Sequence, residues 1–261
     1  MDIVPNGGSI IFLPGTFSTS NGVCSATISS SKSVSMHSFS QVPSTVIISC
    51  SNAIPLEIAF PSLTLSGMTF SGSAVVDNSS HTSLIDSVFQ NSNGQSAYTF
   101  NGGQMTITSC AFSGNSAPSG AALNLPNAAC SFYSDVLFTN NVATVAGGAI
   151  YTSHVLLFSN GANVQFISNS APKGGAIYMT SGGFEAFAGS NLTFTSNTGS
   201  AFYATYSGGS FKPGSTASFI SNTGSSKEIQ TQKKSHKRIS VLKIKMEEQF
   251  ISNTFCSNLM E

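Results

Sequence analysis

Short runs in which apolar and polar residues alternate fill most of residues 1–226. Examples are QMTITSCAF at 104–112, ANVQFIS at 162–168 and NLTFTSN at 191–197. Alternation with a period of two, rich in Thr, Val, Ile and Phe, is typical of β-strands with one buried face, and the Gly, Asn, Ser and Pro between the runs are typical of turns. No long window in this part of the chain has a helical period. The pattern therefore predicts an all-β protein.

The alternating runs recur at nearly constant spacing. The phrase Phe-x-x-Asn occurs at 112–115, 138–141, 166–169, 194–197 and 219–222, in steps of 26, 28, 28 and 25 residues, and degenerate earlier members begin at Phe89 and Phe70. A unit of this size cannot bury its own apolar face, so successive units must stack. The sequence predicts a right-handed, single-stranded parallel β-helix with two or three short strands per repeat. Roughly nine coils would span on the order of 40 Å.

Equivalent positions of successive repeats keep one kind of residue. One column holds alanine and the next holds a large apolar residue: Ala97, Ala122, Ala149, Ala176 and Ala201, followed by Tyr98, Leu123, Ile150, Ile177 and Phe202. Because like residues of a β-helix lie above one another, the phenylalanines are predicted to stack inside the coil and the asparagines to hydrogen-bond along its axis. The Gly pairs of AGGAIYTS (146–153) and KGGAIYMT (173–180) predict tight corners with positive φ and close backbone approach.

The alternation of Gly-Gly-Ala-(Ile/Leu/Val) with Phe-x-x-Asn resembles the repeats of chlamydial polymorphic outer membrane proteins, which also occur in other bacteria and some protists. The resemblance covers about residues 89–226, with two full units, FTNN…GGAIY and FISN…GGAIY, and three or four degraded ones. It implies a β-helix of pectin-lyase-like fold and a surface-exposed or secreted rod that is often linked with adhesion. GGSIIFLPGTFS (7–18) separately resembles the opening coil of many pectin-lyase-like β-helices.

Composition argues against several functional classes. Only 8% of residues are charged, whereas 40% are hydrophobic and 20 are Phe, which indicates a Phe-rich core rather than disorder. Residues 1–226 contain three Lys, no Arg and six acids, so no nucleic-acid-binding surface is expected there. No run approaches the roughly eighteen apolar residues of a membrane span, and no export signal is found. Since the composition suits an exported protein, we expect the true N-terminus to be missing.

The titratable residues form no obvious catalytic group. A uronate lyase needs a base and cations, and a β-helical glycosidase needs two or three carboxylates close together. Asp77 and Asp86 are expected to be solvated loop carboxylates. If they shared a groove, they could instead serve as an acid and base pair. Asp135 and Glu185 are isolated in sequence. Surface or turn positions are expected for the histidines His37, His81 and His154. We therefore predict no catalytic, cofactor-binding or metal-ligating residues.

Five cysteines are spread widely along the chain: Cys24, Cys50, Cys110, Cys130 and Cys256. The absence of a CxxC pair argues against zinc-binding and thioredoxin-like motifs. Most of the cysteines are expected to be buried single thiols. Cys110 and Cys130 could instead form a disulfide if their coils are neighbours. Two N-glycosylation sequons, at Asn78 and Asn191, are expected to matter only in a secreted eukaryotic protein.

The repeat stops at Lys227. FISNTGSS (219–226) begins a further coil, but KEIQTQKKSHKRISVLKIKMEEQ follows, and seven of the ten basic residues fall within 227–245. We predict a β-helix over residues 1–226 and an atypical basic tail over 227–261. The tail is either an insertion that contacts anionic partners or a gene-model artefact such as intron read-through. The return of FISNT at 250–254 argues against a simple artefact.

These observations favour a non-enzymatic, extracellular or cell-surface β-helix for adhesion or structural display. Its expected partner is a glycan or a protein on a cell surface, with no cofactor, no nucleic acid and no membrane span in this chain. The alternative is a polysaccharide-degrading lyase or glycosidase of pectin-lyase-like fold. A tight carboxylate group in a groove would favour the enzyme, whereas scattered acids would favour the scaffold.

Overall fold

Parallel β-strands stack into a solenoid. The computed structural model describes residues 7–18, 27–50, 56–205 and 208–224, together with the backbone of 229–230, 241–242 and 249–251. Across these residues the only helical element is one 3-10 turn, Pro43–Thr45. No helix among them is long and apolar enough to cross a membrane. The predicted all-β class is confirmed.

Each coil contributes one strand to each of three parallel sheets, and equivalent strands of successive coils pair directly. Sheet A contains β1 (Gly8–Phe12), β4 (Val34–Ser38), β7 (Ser62–Ser66), β10 (His81–Ile85), β13 (Gln104–Thr108), β17 (Ala129–Tyr133), β21 (Leu156–Phe158), β24 (Gly183–Ala186) and β27 (Gly208–Phe211). Sheet B contains β2 (Gly15–Ser18), β5 (Val46–Ser49), β8 (Thr69–Ser71), β11 (Val88–Gln90), β14 (Ala111–Ser113), β18 (Asp135–Thr139), β22 (Asn163–Ile167), β25 (Asn191–Thr195) and β28 (Thr216–Ile220). Sheet C contains β3 (Thr27–Ser29), β6 (Leu56–Ala59), β9 (Val75–Asp77), β12 (Tyr98–Phe100), β16 (Leu123–Leu125), β20 (Ile150–Thr152), β23 (Ile177–Met179) and β26 (Phe202–Ala204).

Within the described residues, eight coils have all three strands and a ninth has its first two, in agreement with the predicted number. Two corner strands, β15 (Ser116–Ser119) and β19 (Val142–Ala146), pair with each other between sheets B and C. Past the last coil, the backbone forms β29 (Ile229–Gln230), β30 (Val241–Leu242) and β31 (Gln249–Ile251). The first two of these pair antiparallel, and β31 runs antiparallel to β28.

Alternation along each strand puts every second side chain into the core. In β13, Met105 and Ile107 are buried, whereas Thr106 and Thr108 face outward. The predicted phenylalanine ladder is confirmed and includes the two degenerate members. Seven stacked rings, with neighbouring centroids 4.7–5.0 Å apart, form this ladder: Phe70, Phe89, Phe112, Phe138, Phe166, Phe194 and Phe219.

The other two apolar columns are also confirmed. All five alanines of the first column are buried. The large apolar residues beside them pair across the strands of sheet C, as in Ile150 with Ile177 and Ile177 with Phe202. Together with the phenylalanine ladder they form one continuous core along the axis, because each coil places the same position above the last.

The asparagines form a buried hydrogen-bonded ladder, as predicted. The ladder joins Asn115, Asn141, Asn169, Asn197 and Asn222 through Nδ2 to Oδ1 bonds of 2.8–3.0 Å. Each Nδ2 also donates to a phenylalanine carbonyl of the preceding coil. These bonds satisfy side-chain amides that would be costly to bury alone.

The two glycines of each Gly pair meet different structural requirements, a positive φ at the first and close backbone approach at the second. Gly147 and Gly174 have φ values of +65° and +61°, which glycine adopts at little cost. At the second glycine of each pair, a Cβ would overlap backbone of the next coil: Gly175 O for Gly148, and Thr198 O for Gly175. Both predicted roles of the motif, the turn and the close approach, are therefore present.

Cysteine chemistry differs from the expectation at one position. Cys110 and Cys130 are buried free thiols and form no disulfide with each other. Cys50 is disulfide-bonded, so it is not a single thiol. Cys24, Cys256 and most of the predicted tail lie outside the described residues.

Candidate functional site

Asp77 is a buried structural carboxylate, and its expected place in a solvated loop is wrong. It lies in β9 with its side chain fully buried. Its Oδ2 accepts hydrogen bonds from Thr82 Oγ1 at 2.5 Å and Tyr98 OH at 2.7 Å, and its Oδ1 accepts from the Ser79 backbone N–H at 2.8 Å. Burial, together with the nearby Asp77 charge, raises the pKa of Tyr98 well above its usual value. Asp77 therefore ties two coils together from inside.

The other acids are scattered over the surface. Asp86 is exposed in the turn between β10 and β11, so it shares no groove with the inward-facing Asp77. Asp135 starts β18 and accepts a hydrogen bond from Asn163. Glu185 lies 2.7 Å from Lys212 Nζ, and the hydrogen bond from this ammonium lowers the pKa of Glu185. The structure does not bring these carboxylates into one group.

The described histidines also lie apart from one another. His37 is on the outer side of β4, His81 begins β10, and His154 follows β20 with Nδ1 2.9 Å from Ser153 Oγ. Among the described residues, no group of three or more His, Cys, Asp or Glu could hold a metal ion.

The sequons occupy two different settings. Asn78 is exposed just after β9, and its Oδ1 accepts a hydrogen bond from Asn101 at 2.9 Å. Asn191 begins β25 within an outer ladder, where it donates to Asn163 Oδ1 and accepts from Thr216 Oγ1. The Asn191 amide is thus engaged on both sides, between neighbouring coils.

The outer face of sheet C carries a row of three tyrosines that sequence reasoning missed. Tyr151, Tyr178 and Tyr203 are paired in register and half-buried. Their ring centroids are 5.6 Å and 5.3 Å apart, with interplanar angles of 18° and 15°. We call these three residues the tyrosine row. The signal was present in the sequence, because each tyrosine directly follows the inward residue of GGAIY, GGAIY or SAFY.

A second row of side chains accompanies the tyrosines. Ser153, Thr180 and Thr205 each stand two residues after a tyrosine, and we call them the hydroxyl row. Ser153 Oγ donates to Pro126 O, and Thr205 Oγ1 donates to Thr180 O at 2.7 Å. These bonds hold the two hydroxyls against the preceding coil. This double row is a candidate binding surface that extends over three successive coils.

Comparison with known proteins identifies the type of repeat. The family model of the Chlamydia polymorphic membrane protein repeat matches residues 135–153 and 163–180, which fall in the sixth and seventh coils. The probable outer membrane protein PmpI of Chlamydia trachomatis serovar D is 53% identical over 49 residues, which cover 19% of this chain and 6% of that protein. No solved structure gives a significant match. The resemblance to the polymorphic membrane protein repeats is thus confirmed.

Proposed function

Since the chain carries repeats of the chlamydial polymorphic membrane protein type, we propose that it is a surface-exposed or secreted β-helix used for adhesion or structural display. The observation that carries this proposal is the family match over residues 135–153 and 163–180, together with the similarity to a probable outer membrane protein. The matched segment covers only 6% of that relative's length, so the location and activity of the whole protein belong to the proposal.

The stacked architecture supports a display role. The register of the three parallel sheets is the same from coil to coil and gives an extended rod whose outer faces repeat at about 4.8 Å per coil. Repetition of one surface residue along such a rod creates a linear array of equivalent contacts. An array suits binding to a large, repetitive partner better than it suits a single small substrate.

We also propose that the chain is not an enzyme. Support comes from the acids: Asp77 is enclosed by its hydrogen-bond partners, and Glu185 is paired with Lys212. The experiment is to incubate the protein with pectin, polygalacturonate and neutral polysaccharides and to measure reducing ends and unsaturated products. Release of either product at a rate above that of heat-denatured protein would establish the enzymatic alternative.

The surface and adhesion proposal can be tested directly. Antibodies against the chain should label intact, unpermeabilised source cells, and externally added protease should remove the label. Beads coated with the full chain should adhere to cultured cells more than beads coated with an unrelated β-helix. Label found only after permeabilisation, together with no excess adhesion, would refute the proposal.

The domain boundary stays a proposal as well. Parallel pairing continues to β28, whereas β31 pairs antiparallel to it, which supports a β-helix over 1–226 followed by a distinct segment over 227–261. Sequencing the mature transcript across the codons for 219–261 tests whether that segment is genuine. A spliced message that continues the repeat after residue 226 would identify it as a gene-model artefact.

A further inference from the structure

The tyrosine row and the hydroxyl row are arranged for binding a polymeric ligand. We propose that Tyr151, Tyr178 and Tyr203, with Ser153, Thr180 and Thr205 beside them, bind an uncharged polysaccharide chain that lies along the β-helix axis. This inference rests on the proposed adhesive function, for which it names a site and a class of ligand.

The rings leave apolar surface available. Their centroid distances of 5.6 Å and 5.3 Å are those of offset-stacked aromatic pairs, so the three rings form one continuous strip. The three side chains are only half-buried. Burial raises the pKa of Tyr178, and the adjacent Tyr203 and Tyr151 raise it further. Tyrosine thus offers apolar surface for sugar C–H groups and a polar tip for sugar hydroxyls.

The hydroxyl row supplies fixed hydrogen-bonding groups next to these rings. Each of these hydroxyl residues lies in the bend that directly follows its sheet C strand, two residues beyond the tyrosine. Where Thr205 Oγ1 donates its proton to Thr180 O, the oxygen keeps lone pairs that can accept from a sugar hydroxyl. Ser181 Oγ extends the polar edge by donating to Ser153 O at 2.6 Å. An aromatic strip with convergent hydroxyls is suited to carbohydrate.

Charge distinguishes a neutral ligand from an acidic one. None of the six residues in the two rows carries a formal charge, and the tyrosine column continues into earlier coils as Asn124, Thr99 and Val76. Glu57 occupies that column four coils before Tyr151, and Lys173 is exposed in the corner before β23. One lysine is a weak site for a polyanion, whose binding needs several cations. A neutral chain meets no unpaired charge along the rows.

The regular spacing favours a polymer over a folded protein partner. Successive tyrosines are one coil apart, so the row repeats one contact at nearly constant intervals along about 10 Å. A polysaccharide repeats its own chemical unit and can make equivalent contacts at each step, which adds their contributions within one binding event. A globular protein surface has no such periodicity.

Binding is tested with the full chain and defined oligosaccharides. The probes are hexasaccharides of β-1,4-linked glucose, β-1,4-linked mannose, β-1,4-linked N-acetylglucosamine and β-1,3-linked glucose, with heparin and oligogalacturonate as charged probes, measured by titration calorimetry. We expect at least one neutral hexasaccharide to bind. Y178T should weaken that binding about tenfold or more, and the triple variant Y151T/Y178T/Y203T should abolish it. Thr is chosen because Thr99 already occupies this column in an earlier coil.

The matched control is Y133T, which removes a tyrosine that is 43% exposed on sheet A and should leave the affinity unchanged. Circular dichroism establishes that the variants keep the wild-type fold. The proposal is overturned if no neutral hexasaccharide binds, if heparin or oligogalacturonate binds more tightly, or if the triple variant binds as wild type does.

Adhesion of coated beads to cells distinguishes failure of the polysaccharide inference from failure of the proposed adhesive function. If wild-type beads adhere, the triple variant adheres equally, and protease treatment of the cells abolishes adhesion, then the partner is a protein and only the polysaccharide inference fails. If wild-type beads do not adhere at all, the proposed adhesive function itself fails.

Discussion

Asn169 Oδ1 accepts two hydrogen bonds from Asn141, one from its backbone N–H at 3.1 Å and one from its Nδ2 at 2.9 Å. The Asn169 amide in turn donates to Phe138 O and to Asn197 Oδ1, both at 3.0 Å. Asn169 is fully buried, so no water competes with these bonds. The same arrangement repeats along the ladder. The asparagines that follow successive sheet B strands therefore form one hydrogen-bonded column inside the protein.

Replacing Asn169 by alanine should destabilise the β-helix strongly. The substitution leaves two buried donors of Asn141 without their acceptor, and each orphaned group costs about 1–3 kcal/mol. We expect a loss of about 2–5 kcal/mol in the free energy of unfolding, measured by urea denaturation. The control is N163A, a half-buried asparagine of the outer ladder, which should cost less than about 1 kcal/mol. Equal losses for the two variants would contradict the structural role of the inner ladder.

Phe166→Ala should open a cavity in the middle of the phenylalanine ladder. The Phe166 ring is fully buried and stacks on Phe138 and Phe194, each at 4.9 Å between centroids. Loss of a buried phenylalanine side chain costs about 3–5 kcal/mol because the surroundings relax only partly. Phe39, which is 70% exposed, provides the control, and F39A should stay within about 0.5 kcal/mol of wild type in the same denaturation assay. A small effect of F166A would mean that the ladder is packed loosely.

A double-mutant cycle on Asp77 and Tyr98 should reveal strong coupling. Their hydrogen bond is 2.7 Å long and fully buried. Each single variant, D77A or Y98F, removes one of its two partners. We expect a coupling energy of about 1–3 kcal/mol from thermal or urea unfolding of the four proteins. The partly exposed pair Glu185 and Lys212 serves for comparison, with an expected coupling below about 1 kcal/mol. Additive effects at Asp77 and Tyr98 would show that the hydrogen bond between these two side chains does not contribute to stability.

The repeat allowed much of the fold to be predicted from sequence. Phe112 and Asn115 recur at nearly fixed intervals, and a parallel coil places equal positions directly above one another, so both ladders follow from the spacing alone. The environment of Asp77 could not be predicted this way. Its partners Thr82 and Tyr98 belong to the next coil, and nothing within VVDNSS shows that its carboxylate turns inward.

The candidate site shows a related limit. The sequence contains Tyr151 and Tyr178 in identical surroundings, but identical surroundings predict only that the two lie in one column. Whether that column faces the core or the solvent depends on the phase of a three-residue strand, which neighbouring Ile150 and Ile177 decide by filling the core. The disulfide of Cys50 was missed because pairing depends on the path between coils rather than on local sequence.

The buried thiols should be unreactive in the native protein. Burial raises the pKa of Cys110 from near 9 to about 12, and burial also raises the pKa of Cys130, so neither thiol forms the reactive thiolate at pH 8. Iodoacetamide followed by peptide mapping should leave both residues unmodified unless urea is added. The pKa of Cys110 is higher in the folded protein than in the unfolded chain. The free energy of unfolding should therefore be unaffected by this thiol below about pH 9 and should fall as the pH rises toward 12. Rapid native labelling of either cysteine would contradict this burial.

Gly148→Ala tests why the motif contains two glycines. A Cβ at this position would overlap Gly175 O and come within 2.7 Å of the Ser170 backbone, so the coils would have to separate. We expect a loss of about 3 kcal/mol or more, measured by urea denaturation. The control is G161A: Gly161 has a positive φ, +70°, which Gly148 does not have, and no atom lies within 4 Å of its added Cβ. That variant should lose only about 1–2 kcal/mol in the free energy of unfolding, which is the cost of placing alanine in a left-handed backbone conformation. If G148A is as stable as G161A, close approach between coils is not what requires the second glycine.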